Sequence, residues 1–388
     1  MPRSPLFGRR IHITGSISKD LEHASAENVA LSRQFVAALV KELVKRGANF
    51  VVPVDAEPTR DIDGSPKIFD WLIWETIEKN VIHRPSDAPG IMAVAVQHHK
   101  SEGQIPPQYR EMWDGLRRSD KVKIDNASFW NMASKRMEAQ AYWGDILIPI
   151  GGEEGALFLT NLYASNGKPV VPVNIPVTPQ GTGARRVFEF GLGRTNTKRL
   201  FQTDGPIDAH GWLNRVNFAS QSNVSVMVQD FVDLLEALVP PKAFAVRLLD
   251  PTHEHFKVVD DFFEGVVKPV VEGQLGFKLI VVDGRQSVDQ SRIDADIFAK
   301  LHHSQLVIAD VTGSRPNCFI ELGYALGRGH PTILTAMKGE KFPFDITTYA
   351  GFPWLPTKTA VELQRELFEH WTSVQARPPL VDVEPLIS

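Results

Sequence analysis

Short, apolar-rich runs alternate with helix-period segments along this sequence, and they do so twice. IHIT (Ile11 to Thr14) stops at Gly15-Ser16, and Val29, Val36, Leu39, Val40 and Leu43 then recur at three- and four-residue spacing. Gly47 closes that helix and NFVVPV (Asn49 to Val54) resumes as a strand. A run that is apolar on both faces belongs in a sheet covered on both sides, and strand-helix-strand order makes neighbouring strands parallel. IMAVAVQ (Ile91 to Gln97) and DILIPI (Asp145 to Ile150) extend the pattern, the second running into GGEEGALFLTNLYASNGKPVVPV (Gly151 to Val173). The expectation is a first α/β domain over residues 1–176.

Periodicity weakens over residues 177–241, which read as a linker region with one helix from Val226 to Leu238, closed by Pro240-Pro241. PVTPQGTGARR (Pro176 to Arg186) reads as a loop carrying Arg185 and Arg186, either reaching a bound anion or simply solvated. The grammar then repeats over residues 242–388. FAVRLL ends at Asp250, FKLIVV at Asp283 and QLVIA at Asp310, with amphipathic helices between. Strand-end aspartates line the ligand crevice of a doubly wound sheet, although aspartate is also an ordinary turn residue.

A chain of 388 residues, 43% hydrophobic and 23% charged, is long enough for two cores. Its net charge of −4 supplies no basic field for nucleic acid or an anionic membrane, so neither is an expected partner. The single cysteine, Cys318, excludes an internal disulfide and a cysteine zinc cluster, and suits a reducing cytoplasm. Neither the opening MPRSPLFGRR nor any later stretch has the apolar length of a signal peptide or a membrane span. The histidine pairs lack metal-ligand spacing, and neither a metal nor a bound cofactor is expected.

VTGSRPNCFIELGYALGRG follows Asp310. Pro316 suits a first helical turn, and the glycines at 327 and 329 suit its end. At 100° per residue Phe319, Leu322 and Leu326 share one side, and Asn317, Glu321, Tyr324 and Arg328 the other. That leaves Glu321 on a solvated face or on one turned to the crevice. Periodicity leaves both open.

ADVTGSRPNCFIELGYALGRGHPTI with the later FPFDI (Phe342 to Ile346) resembles the N-glycosidase group of nucleoside 2-deoxyribosyltransferases and Toll/interleukin-receptor-like effectors, over about Phe244 to Trp354. The resemblance implies Glu321 as catalytic carboxylate, Asp310 and Asn317 as its sugar-side neighbours, and Asp250, Asp283, Tyr324 and Asp345 around the substrate. Breaking a ribose–base bond builds positive charge on the sugar, which an adjacent carboxylate stabilises or attacks. Nicotinamide leaves NAD neutral, whereas a purine needs a second acid.

ITGSIS with ILIPIGGEEGALFLTNLYASNGKPVVPV resembles the SLOG superfamily of Thoeris-type sensors, over about Arg10 to Pro176. The glycines carry one extra residue, Ala156 replaces a threonine, and Thr160 stands where the enzymatic relatives have a helix carboxylate. This implies binding rather than hydrolysis there, with Gly15, Ser16, Gly151, Gly152, Glu154, Gly155, Arg185 and Arg186 around a cyclic ADP-ribose-type nucleotide.

The two resemblances together imply tandem Rossmann-like (flavodoxin-like) doubly wound domains. They describe a cytoplasmic, homo-oligomeric antiviral effector in which a nucleotide signal controls an N-glycosidase cleaving NAD. A nucleoside or nucleotide N-glycosidase or deoxyribosyltransferase, and a non-enzymatic nucleotide-binding regulator, are the alternatives.

Overall fold

The computed structural model describes residues 3–88, 91–98, 100–128, 133–282, 293–340 and 351–375. They form two compact α/β units divided between Val239 and Pro240. Both units are Rossmann-like, each with a five-stranded parallel sheet covered by helices.

The first unit runs β1 (Arg10–Thr14), α1 (Ala26–Lys45), β2 (Asn49–Pro53), α2 (Asp70–Asn80), β3 (Ala93–His98), α3 (Ser101–Gln104), α4 (Arg110–Arg117), β4 (Val122–Ser128), α5 (Ala133–Trp143), β5 (Ile146–Pro149) and α6 (Glu154–Ser165). Its strand order is β4-β3-β2-β1-β5, all parallel. The chain steps outward from β1 to β4 and then returns to the far side of β1, so its direction reverses between β1 and β5. The loops after those two strands must part at their carboxyl ends, which opens a ligand crevice there.

Local sequence explains the elements. Ser25 accepts from the Asn28 amide at the start of α1, and Val29, Phe35, Val36, Leu39, Val40, Leu43 and Val44 bury one stripe of that helix. Gly47, at φ 73°, makes the left-handed turn that releases the chain into β2. All four residues of β5 and all six of β3 are buried, as strands covered on both faces require.

The stretch that reads as a linker is folded into this unit. It forms α7 (Gly183–Gly191), α8 (Arg194–Leu200), α9 (Ala209–Arg215) and α10 (Val224–Glu236). Val187, Phe188, Leu200, Leu213, Phe231 and Leu235 belong to the same core as the sheet. Phe218 and Phe231 each pack on Phe35 of α1 with ring centroids 5.6 Å apart. Arg185 and Arg186 therefore stand on a helix rather than in a loop.

The second unit runs β6 (Lys242–Val246), α11 (Phe256–Phe262), β7 (Lys278–Val281), α12 (Ile293–His302), β8 (Leu306–Asp310), α13 (Pro316–Gly327), β9 (Thr332–Met337), β10 (Phe352–Trp354) and α14 (Ala360–Val374). After α11 the chain continues in wide turns over Phe263–Val267 and Pro269–Gln274. Pro269 has no amide hydrogen to donate, so the regular helical ladder fails there. The strand order β10-β9-β8-β6-β7 places the reversal between β6 and β8. Val259, Phe262, Leu363 and Leu367 fill one face of this sheet, and Leu301, Cys318, Leu322 and Ala325 the other. No helix among the described residues is long and apolar enough to cross a membrane.

Candidate functional site

A cavity of about 540 Å³ opens at the carboxyl edge of the first sheet, at the reversal between β1 and β5. Gly15 and Ser16 line it from the β1 loop, Gly152, Glu153 and Gly155 from the β5 loop and α6, Asp55 from beyond β2, and Asp70 from the first turn of α2. Arg136, Met137 and Gln140 line it from α5. Its volume is that of a small-molecule site.

The glycines serve the backbone around this cavity. A Cβ on Gly15 would lie 1.8 Å from the Ile150 carbonyl oxygen, and one on Gly183 would lie 2.0 Å from that of Gly152. The Gly152 amide is already donated to the Ser16 carbonyl at 2.7 Å. These glycines let two strand-end loops touch. A larger residue at Gly152, at φ 79°, strains the loop with or without a ligand.

Charge is concentrated on one wall. Arg136 is ion-paired with Asp55, whose other carboxylate oxygen lies 3.5 Å from His98 Nε2. The Asp70 carboxyl takes part in no hydrogen bond or ion pair among the described residues. Burial, followed by the nearby Asp55 carboxylate, raises its pKa from 3.8 to about 7 against the opposing pull of Arg136. The cavity thus holds a paired carboxylate and an unpaired carboxyl able to carry or release a proton near neutrality. Glu57 is also raised, chiefly by burial, and accepts from Tyr109 at 3.5 Å.

At the second sheet, Asp250 follows β6 and lies 3.4 Å from Arg315, just before α13, so both loops flanking the reversal contribute to one charged edge. Asp310 ends β8 completely buried. It accepts from the Thr335 hydroxyl at 2.7 Å, the Trp354 indole at 2.9 Å and the Thr312 amide at 3.1 Å. Those bonds join β8, β9 and β10, so Asp310 is a tie between strands rather than an open neighbour of a sugar. Glu321, half-buried on α13, is raised by burial from 4.5 to about 7, and its side chain has no hydrogen bond or ion pair among the described residues. Burial, followed by the Glu321 and Asp310 charges, also pushes the Cys318 thiol to about 12, which leaves it inert at neutral pH.

The structure sorts the residues singled out in the sequence. Gly15, Ser16, Gly152 and Gly155 line the first cavity, whereas Gly151, Glu154, Arg185 and Arg186 are not among its lining residues. Arg185 instead donates to the Thr178 carbonyl at 2.9 Å. Asn317 is exposed. Tyr324 lies off the open face expected for it: its hydroxyl meets His302 Nδ1 at 2.7 Å and its ring packs on Phe298. The buried stripe of α13 is Cys318, Leu322 and Ala325, turned from the expected one. Asp283 and Asp345 lie outside the described residues. Asp55, Asp70, Arg136 and Gln140 escaped sequence reasoning. Asp55 follows NFVVPV as Asp250 follows FAVRLL, and that shared position was the available signal. Among the described residues one group, exposed Asp20, Glu22 and His23, brings three possible metal-ligand atoms within 4.8 Å, and none of the three lines the cavity.

The sequence pattern of one protein family, described as "ATP nucleosidase Cap17-like, N-terminal", matches residues 6–235. The chain belongs to that Cap17-like family. The match runs through α7 to α10 and stops just short of the unit boundary, so the family's region is the first unit with its four added helices. No curated protein matches the chain. Among solved structures it is similar to one titled "A unique GCN5-related glucosamine N-acetyltransferase region exist in the fungal multi-domain GH3 beta-N-acetylglucosaminidase", at 10% identity and a TM-score of 0.22. The alignment spans 90% of this chain and 48% of that one, and at that TM-score the likeness carries no argument.

Proposed function

We propose that this Cap17-like chain is a nucleotide-responsive N-glycosidase of antiviral defence, in which a nucleotide binds the first unit and base–sugar cleavage occurs at Glu321 of the second. The observation that carries this reading is the pair of reversal-point edges, one holding a nucleotide-sized cavity and the other a half-buried, unpaired carboxyl. In the reaction, the bond from C1′ to the base breaks with its electrons leaving on the base, and water adds to C1′ as hydroxyl, its proton going to the departed adenine of ATP or, for NAD, whose nicotinamide leaves neutral, to solvent. An ionised Glu321 stabilises the sugar cation between these events. ATP, named in the family's description, and NAD are the first substrates to try. A cyclic ADP-ribose-type nucleotide is the candidate activator, acting by its preference for an assembled, active state.

A second reading places the chemistry in the first unit. The family region covers that unit, and Asp70, protonated near pH 7 beside the paired Asp55, is the kind of acid a departing purine requires.

Incubating the full-length protein with ATP, NAD and nucleosides, with and without cyclic ADP-ribose isomers, while following free base and light-scattering mass, tests the proposal. Free base from ATP or NAD that rises with a cyclic nucleotide and with assembly supports it. No free base from any of them rejects it.

A further inference from the structure

Resting on the reading that the first unit binds a nucleotide, we infer that Gln140 reads the edge of an adenine base at the floor of the cavity. Gln140 is 6% exposed, yet it lines the cavity and its side-chain amide has no hydrogen-bond partner among the described residues. A buried primary amide left without partners is costly, and one that faces a cavity is satisfied by what enters it.

Direction along α5 supplies the depth. This helix descends from the carboxyl edge of the sheet at Ala133 to the start of β5 at Ile146, so Gln140 lies one turn deeper than Arg136. On the opposite wall α6 descends in the same sense, and Leu159 lies one turn deeper than Gly155. The floor therefore combines an amide with the apolar side chains of Leu159, Ala156 and Met137, a setting for a flat heterocycle read at one edge. The mouth carries Ser16, the first turn of α6 and the ion pair of Arg136 with Asp55, where a phosphate competes with Asp55 for the guanidinium and meets the positive end of the helix.

The amide selects among bases by chemistry. It offers one acceptor and two donors, which pair with the donor and acceptor at adenine N6 and N7. Guanine presents two acceptors on that edge, O6 and N7, and leaves the amide oxygen unmatched. The ligand class is thus an adenine nucleotide, including ADP-ribose derivatives.

Isothermal titration of the full-length protein with ADP, GDP and ADP-ribose tests this. The wild type is expected to favour ADP over GDP, and Gln140→Leu to weaken ADP and ADP-ribose by roughly tenfold to a hundredfold while leaving GDP unchanged, the scale of a lost bidentate base contact. The uncharged Gln140→Met, close to glutamine in length and volume, guards against a packing artefact: it removes both donors and acceptor and should lose adenine preference with little change in melting temperature. Equal wild-type affinity for ADP and GDP, or an undiminished ADP affinity in both variants, overturns the assignment of Gln140 alone. No binding of any adenine probe by the wild type overturns the nucleotide reading as well.

Discussion

Replacing Glu321 by glutamine should make the protein more stable and inactive at the same time. The folded protein must ionise Glu321 in a half-buried position above about pH 7, whereas the unfolded chain ionises it near 4.5. A folded pKa raised above the unfolded one means that the folded state binds the extra proton, so stability falls as pH rises from about 4.5 to about 7 and stays reduced above that window. At about 1.4 kcal/mol per pKa unit the gap corresponds to roughly 3 kcal/mol, and solvent screening of a half-buried side chain brings this to about 1 kcal/mol. Glutamine carries no charge to desolvate, so Glu321→Gln should raise the melting temperature by about 3 °C at pH 8. The gain should shrink as pH falls toward 5, where the wild-type carboxyl is already protonated when folded. Base release should fall by about 10² to 10³ in rate, the usual cost of losing one electrostatic partner of a transition state. Calorimetry at pH 5 and pH 8, with chromatographic detection of free base on the same samples, reads both effects. A variant destabilised at pH 8, or one with wild-type base release, refutes the reasoning.

Two further outcomes follow from the same groups. Asp70, raised to about 7 beside Asp55, Glu57 and Arg136, gains a negative charge between pH 6 and pH 8; ADP affinity should therefore fall severalfold over that range, and fall less in Asp70→Asn, where only the ligand's own phosphate titrates, measured by titration calorimetry. Asp310→Asn sets an amide NH₂ either against the Thr312 amide or against the Thr335 hydroxyl and Trp354 indole, and should lower stability by about 1–3 kcal/mol in denaturant unfolding with ADP binding by the first unit unchanged.

The architecture was legible because strands covered on both faces are mostly apolar and keep a polar side chain such as His12 only where it has a partner, here the Tyr163 hydroxyl, so IHIT, NFVVPV, DILIPI and QLVIA stand out as short apolar-rich runs. Strand β4 did not. Its sequence, VKIDNAS, is that of an edge strand, flanked on one side only and free to be polar. The helices α7 to α9 were hidden by length: at seven to nine residues, none completes enough turns to establish a period. Glu321 could be singled out because its neighbours are local in sequence. The wall of Asp55, Asp70, Arg136 and Gln140 is assembled from β2, α2 and α5, with Asp55 and Arg136 separated by 81 positions, and no local spacing encodes such a meeting. The glycines were legible as tight-turn residues, but not what they approach: Gly15 and Gly183 press against backbone carbonyls of their own unit.

The central claim is a division of labour between a unit that binds and a unit that cleaves. The most direct test is to measure ADP binding and base release from ATP and NAD for full-length wild type, Glu321→Gln and Asp70→Asn in parallel. The division predicts that Glu321→Gln binds ADP with wild-type affinity and releases base about 10² to 10³ times more slowly. Base release that survives in Glu321→Gln and disappears in Asp70→Asn would contradict it, and would move the chemistry into the first unit.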